Sequence, residues 1–182
     1  MSKVQLAIEI ARRAHKGQVD KLGADYINHP LRVHRNLISH PTFKTLDAAS
    51  QEDCEVAAIM HDVIEDSGDG EESERFTEAD LLSQGFSPRS IELVQLLTRK
   101  PEDVEPKDKY YENINANPLA KLVKWADIAD NLNIYRTAGL SPEKKSRLAE
   151  RYEHALEIIE LDEIGKFWLE DTKLLPVELE EQ

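Results

Sequence analysis

Apolar residues recur at helical spacing along nearly the whole chain, and no stretch shows the alternation of a strand, so the pattern predicts an all-α protein. Val4, Ala7, Ile8, Ala11 and Ala14 predict a first helix that Ser2 caps and Gly17 ends, running to about Lys16. Pro30 suits the first turn of a second helix through Ile38, with His29 at its N-cap. A third helix is expected to start at Ser50, with Asp53 as a capping-box partner, and to run unbroken to about Ser67. Thr77 with Asp80, and Ser87 before Pro88, mark two further starts. Asn117-Pro118 opens the longest periodic run, expected to reach Tyr135, and Ser141-Pro142 opens a last long helix through Ile159 whose charged face reads as solvated. Phe167-Trp168-Leu169 is expected to pack a terminal turn onto the body. Residues 68–75 and 98–108 read as polar loops, and the pattern gives one domain over 1–172 followed by an acidic tail, 173–182.

One stretch conflicts with its own pattern. Val56, Ile59, Met60, Val63 and Ile64 mark a buried helix, yet His61, Asp62, Glu65 and Asp66 stand among them. On an unbroken helix His61 lies over Glu65 and Asp62 over Asp66. Three carboxylates and an imidazole in one buried turn are costly unless a cation sits among them, and a metal ion is the simplest. A lone His-Asp dipeptide is ordinarily a core histidine beside solvated acids, so partners elsewhere must decide. Two segments offer them: His29-Pro30 upstream, and a polar stripe of Lys124, Asp127, Asp130 and Asn131 on the apolar helix downstream. Two imidazoles and two carboxylates without a thiolate suit manganese, iron, zinc or cobalt, and suit calcium poorly.

Composition narrows the ligand. At 182 residues with 40% hydrophobic and 32% charged residues, the chain suits one soluble domain, and its apolar runs are too short to span a bilayer. The N-terminal segment has no apolar h-region, so the cytoplasm is the expected location. A single cysteine, Cys54, excludes an intramolecular disulfide and a cysteine-rich metal site. A net charge of −13 argues against extended nucleic acid or anionic membrane as partner. A small phosphorylated ligand needs only a local basic patch, for which Arg99, Lys100, Lys107 and Lys109 are candidates. Oligomeric state is left open.

In order, His29, His61-Asp62 and Asp127 resemble the signature of the HD superfamily of metal-dependent phosphohydrolases. The surrounding motifs are similar to one branch, the hydrolase domain of RelA/SpoT-type enzymes and the small stand-alone alarmone hydrolases. They are His15-Lys16-Gly17-Gln18 with Tyr26-Ile27-Asn28-His29-Pro30, His61 to Asp66, Thr77-Glu78-Ala79-Asp80-Leu81 with Leu97-Thr98-Arg99-Lys100, and Ala120 to Asp127 with Asn131-Leu132. The resemblance implies a single-domain helical HD bundle that removes the 3′-pyrophosphate from (p)ppGpp. It implies one divalent metal, manganese first, held by His29, His61, Asp62 and Asp127. Glu65 and Asp66 would orient or deprotonate the attacking water, and Lys21, Tyr26, Lys124 and Asn131 would contact the nucleotide. His15 and His34 are expected to be packing or surface residues, and Asp130 to support its neighbours.

Two features depart from the branch. Asp20 stands where an arginine is usual, and Leu22-Gly23-Ala24-Asp25 replaces a Ser-Gly-Glu-Pro run, which leaves another nucleotide as an alternative substrate. A non-catalytic nucleotide sensor is the reading from a different class, and the Glu65-Asp66 pair speaks against it. The length leaves no room for the synthetase domain of the larger relatives, so alarmone synthesis is not expected.

Overall fold

The computed structural model describes residues 1–20, 22–68, 72–100 and 108–177. Among them are eleven α-helices: α1 (Lys3–Ala14), α2 (Asn28–Ser39), α3 (Ala48–Met60), α4 (Val63–Asp66), α5 (Glu78–Ser83), α6 (Pro88–Leu97), α7 (Asp108–Asn115), α8 (Pro118–Asn131), α9 (Ile134–Thr137), α10 (Pro142–Ile158) and α11 (Glu163–Thr172). The described residues form no strand, only an isolated bridge between Val19 and Asp25.

α3 and α8 are the inner helices: the second half of α3 and most of α8 are buried on every side. α3 buries Cys54 and Val56 through Met60 completely, and it packs on α1, α2, α6 and α8. α8 buries ten residues, Ala120 and Leu122 through Asp130, against α2, α3, α6, α7 and α11. Among them are Lys124, Asp127 and Asp130, each less than a tenth exposed. The outer helices obey their caps. Ser2 and Gln5 form a reciprocal capping box on α1, Ser87 and Pro88 open α6, and Asn117 accepts from Leu119 and Ala120 to open α8.

The expected unbroken third helix is two helices. Asp47, not Ser50, caps α3, accepting from the Ser50 amide at 3.0 Å, and the helix breaks at His61-Asp62 before the single turn of α4. His29 lies inside the first turn of α2 and not at its cap, which is Ile27. α8 stops at Asn131, four residues before the expected end, because Asn133 turns its carboxamide to cap α9. The expected packing of Phe167-Trp168-Leu169 holds for two of the three: in α11 Trp168 and Leu169 are buried and Phe167 is 75% exposed. Lys173 and Leu175 still touch the body, through the Ile134 amide and the Asn133 side chain, whereas 178–182 lie outside the described residues.

Asp53 has a role that its capping-box assignment hides. It is 5% exposed, and it accepts hydrogen bonds from the Ser87 hydroxyl, the Ser90 hydroxyl and the Arg89 guanidinium, which fastens α3 to the start of α6. Burial alone would raise its pKa, but those donors hold it below the usual carboxylate range. Its contribution is therefore complete above the unfolded value of about 3.9 and is lost as pH falls through the lower folded value. Asp53→Ala is expected to cost about 2 kcal/mol or more at neutral pH in urea denaturation, with a difference from wild type that shrinks on acidification. A difference independent of pH down to about 2 would remove the carboxylate's charge from the account.

Candidate metal centre

Three elements converge at the polar positions of the two inner helices. His29 comes from the first turn of α2, His61 and Asp62 from the break between α3 and α4, and Asp127 from the middle of α8. At the break both residues keep right-handed helical angles, His61 at φ −57°, ψ −32° and Asp62 at φ −99°, ψ −4°, and their side chains meet at one point. His29 Nε2 lies 3.3 Å from Asp127 Oδ1 and 3.7 Å from Asp62 Oδ2. His61 Nε2 lies 3.1 Å from Asp62 Oδ2 and 3.8 Å from Asp127 Oδ1. His29, His61 and Asp127 each offer a ligand atom within 4.8 Å of the others.

The ring nitrogens facing away are already committed. His29 Nδ1 donates to Asp130 Oδ2 at 2.7 Å, and His61 Nδ1 donates to the Ala58 carbonyl at 2.8 Å. In the neutral rings this leaves both Nε2 lone pairs directed at the carboxylates. His61 Nε2 is fully buried with no hydrogen-bond partner. An orphaned lone pair beside carboxylate oxygens is unfavourable by itself and is the arrangement a divalent cation relieves, so the residues fit the metal. The electrostatics agree. Burial would lower the His61 pKa, but Asp62 and Asp127 outweigh it and push it up to about 9, which is the cluster drawing in a positive charge. Burial would raise Asp127, but the Lys124 ammonium and the two imidazoles hold it well below the carboxylate range. A metal would compete with the His61 proton for the same lone pair.

An outer layer fixes these groups. Asp130 accepts from Arg32 Nε at 2.6 Å and lies 3.3 Å from Arg136 Nη1, in the supporting position expected of it. Lys124 Nζ donates to Asp127 Oδ2 at 2.8 Å, and Asn131 Nδ2 donates to Asp127 Oδ1 at 2.6 Å. Lys124 and Asn131, expected at the nucleotide, are thus engaged with Asp127. The Tyr26 hydroxyl donates to Asp62 Oδ2 at 2.5 Å, and burial with that carboxylate keeps the phenol protonated. His15 is buried and donates to Gln18, while His34 pairs with Glu55 away from the cluster.

The cluster opens into a cavity of about 290 Å³, on whose walls stand Glu65, Asp66, Arg99, Asp20, Arg136 and Arg151. Asp20 faces this cavity, but its Oδ1 also accepts the Leu22 and Ala24 amides at 2.9 and 3.1 Å and so closes its own loop. Lys100 is exposed, Lys109 is exposed and paired with Glu112, and Lys21 and Lys107 lie outside the described residues. Arg136, Arg151 and Tyr152 were not among the expected site residues. The α10 face that carries Arg151 had read as solvated, and only the long-range packing of α10 turns it to the cavity.

No family model matches the chain. Over 150 residues it is 33% identical to the guanosine-3′,5′-bis(diphosphate) 3′-pyrophosphohydrolase of Vibrio cholerae, covering 77% of this chain and 19% of that protein. Over 156 residues it is 30% identical to a protein of Mycobacterium leprae described as a probable GTP pyrophosphokinase, covering 82% of this chain and 18% of that one. The chain thus spans about a fifth of the length of the curated relatives it matches. A solved structure described as a metazoan ortholog of SpoT that hydrolyses ppGpp superposes with a TM-score of 0.72 at 21% identity, covering 94% of both chains. The fold is that of this structure, an all-α domain, and it carries a His/Asp cluster that could hold a metal ion. The chain is similar to (p)ppGpp hydrolases of the SpoT type over most of its length.

Proposed function

We propose that the protein is a metal-dependent phosphohydrolase that removes the 3′-pyrophosphate from (p)ppGpp. The observation that carries this reading is the orphaned Nε2 of His61, which faces Asp62, Asp127 and His29, three residues that line one cavity with Glu65. The names of the relatives supply the substrate. His29, His61, Asp62 and Asp127 would hold one divalent ion, with manganese the first choice for this mixed nitrogen and oxygen set. When bound, such an ion polarises a phosphoryl oxygen and makes water more acidic.

The chain's own groups do the rest. Tyr26 and Lys124 keep Asp62 and Asp127 oriented and ionised. Glu65 accepts a proton from water as its oxygen attacks phosphorus, with Asp66 beside it. The bond from phosphorus to the 3′-oxygen breaks, and that oxygen leaves with the electron pair and gains a proton. Arg136 and Arg151 face the departing phosphates as cations, and Asn131 fixes the nearby carboxylate. Lys21, outside the described residues, is assigned to the nucleotide by the motif resemblance alone. Purified protein with added manganese should release pyrophosphate from (p)ppGpp in a panel of phosphorylated nucleotides, and no release from any member would overturn the enzyme reading.

Asp20 favours a second reading, a less charged nucleotide substrate, because its carboxylate faces the same cavity and repels a polyphosphate. Asp20→Asn retains a side-chain oxygen for the Leu22 and Ala24 amides and removes the charge. It is expected to lower the apparent KM for guanosine tetraphosphate roughly threefold to tenfold. An unchanged KM would place Asp20 out of reach of the substrate.

A further inference from the structure

Glu65, to which the proposed function gives the proton of the attacking water, is not free in the cavity. Glu65 stands on α4 and meets Arg99, two residues past the end of α6. The Arg99 main-chain N–H donates to Glu65 Oε2 at 2.9 Å, Nε approaches the same oxygen at 3.4 Å, and Nη2 donates to Oε1 at 2.6 Å. A carboxylate oxygen has two lone pairs. Among the described residues, Oε2 has both lone pairs engaged and Oε1 has one donor, Nη2.

We propose that Arg99 is a positioning residue for catalysis: it holds Glu65 so that the remaining lone pair of Oε1 faces the reacting water. The inference rests on the proposed hydrolase reading. Three arguments support it. The contact is a fork that fixes the plane of the carboxylate as well as its distance, which a lysine cannot do. Glu65 shares its cavity with Asp20, Asp62, Asp66 and Asp127, so its side chain is turned from those carboxylates only by an attractive partner, and Arg99 Nη2 lies 2.6 Å from its Oε1. The Arg99 side chain is also 36% exposed at the cavity wall, so it is oriented by Glu65 and not by burial in the core. The competing role is direct contact of Arg99 with a substrate phosphate, and it has a different kinetic signature.

If Arg99 acts through Glu65, Arg99→Ala lowers kcat for (p)ppGpp by roughly tenfold to a hundredfold with KM changed by less than about threefold. Arg99→Lys recovers part of the loss by restoring charge without the fork. The variant carrying both Glu65→Gln and Arg99→Ala is no slower than Glu65→Gln alone, because the second change has nothing left to act through. A rise in KM at unchanged kcat, or losses that multiply in the double variant, would overturn the proposal. A readout without turnover is the melting temperature of the same four proteins. Coupling requires that the double variant lose less than the sum of the single losses, and strictly additive shifts would show that the pair is not formed in solution. A wild-type protein inert towards every nucleotide would overturn the proposed function, whereas additive melting shifts would overturn this inference by themselves.

Discussion

Asp127→Ala is expected to lose the bound metal and, with it, far more activity than the roughly 10- to 100-fold cost of removing an outer-shell partner. Asp127 Oδ1 is the carboxylate atom that approaches both imidazoles, at 3.3 Å from His29 Nε2 and 3.8 Å from His61 Nε2. Elemental analysis of wild type and variant after identical dialysis checks the first half, and pyrophosphate release checks the second. Equal metal in the two proteins would remove Asp127 from the site. The substitution also strands the buried Lys124 ammonium, whose pKa is raised well above its usual value because the Asp127 charge outweighs burial. Breaking such a pair costs about 3–5 kcal/mol, so Asp127→Ala combined with Lys124→Met is the companion variant. It removes the stranded charge, and metal loss that persists in it is not a consequence of unfolding.

A loss of stability as large is expected at Asp130. This carboxylate is 2% exposed and answers His29, Arg32 and Arg136 at once, and its pKa is pushed down to about 2 because the His29 bond and the two guanidinium groups overcome burial. Asp130→Ala leaves Arg32 buried without its counter-ion and should cost about 3–5 kcal/mol in urea denaturation. Asp130→Asn separates the second role from the first. It keeps the shape but no longer supplies a charged acceptor for His29 Nδ1, so metal affinity should fall roughly 10- to 100-fold by titration. An unchanged denaturation midpoint in the alanine variant would mean that water replaces the carboxylate.

The helix starts were legible because caps are local. Ser2, Thr77, Ser87, Asn117 and Ser141 all open helices where proline, a capping box or a periodic run places them. The cluster was legible for an energetic reason: two imidazoles and two carboxylates inside apolar runs are too costly to be there without a purpose. The break at His61-Asp62 was not, because Val63 returns to the core on the far side and the apolar period continues across the gap. Asp53 was misassigned because a capping carboxylate and a buried one that receives serine hydroxyls have the same local sequence. Arg151 had no signal at all, and Arg99 read as part of a basic patch for a phosphorylated ligand, not as the partner of Glu65. A cation that faces a cavity and one that faces water differ only in tertiary packing, which a helical period cannot express.

The fastening of Asp53 to the start of α6 has a geometric consequence at the other end of that helix. α3 carries Asp53 and leads through α4 to Glu65, while α6 carries the answering groups Ser87 and Ser90 and leads to Arg99. The two segments thus form a closed frame with a joint at each end, and α6, ten residues or about 15 Å long, sets its width. In such a frame length is also phase. Deleting one residue from α6 would shorten it by only about 1.5 Å but would turn everything beyond it by about 100°, carrying Arg99 off the face that meets Glu65.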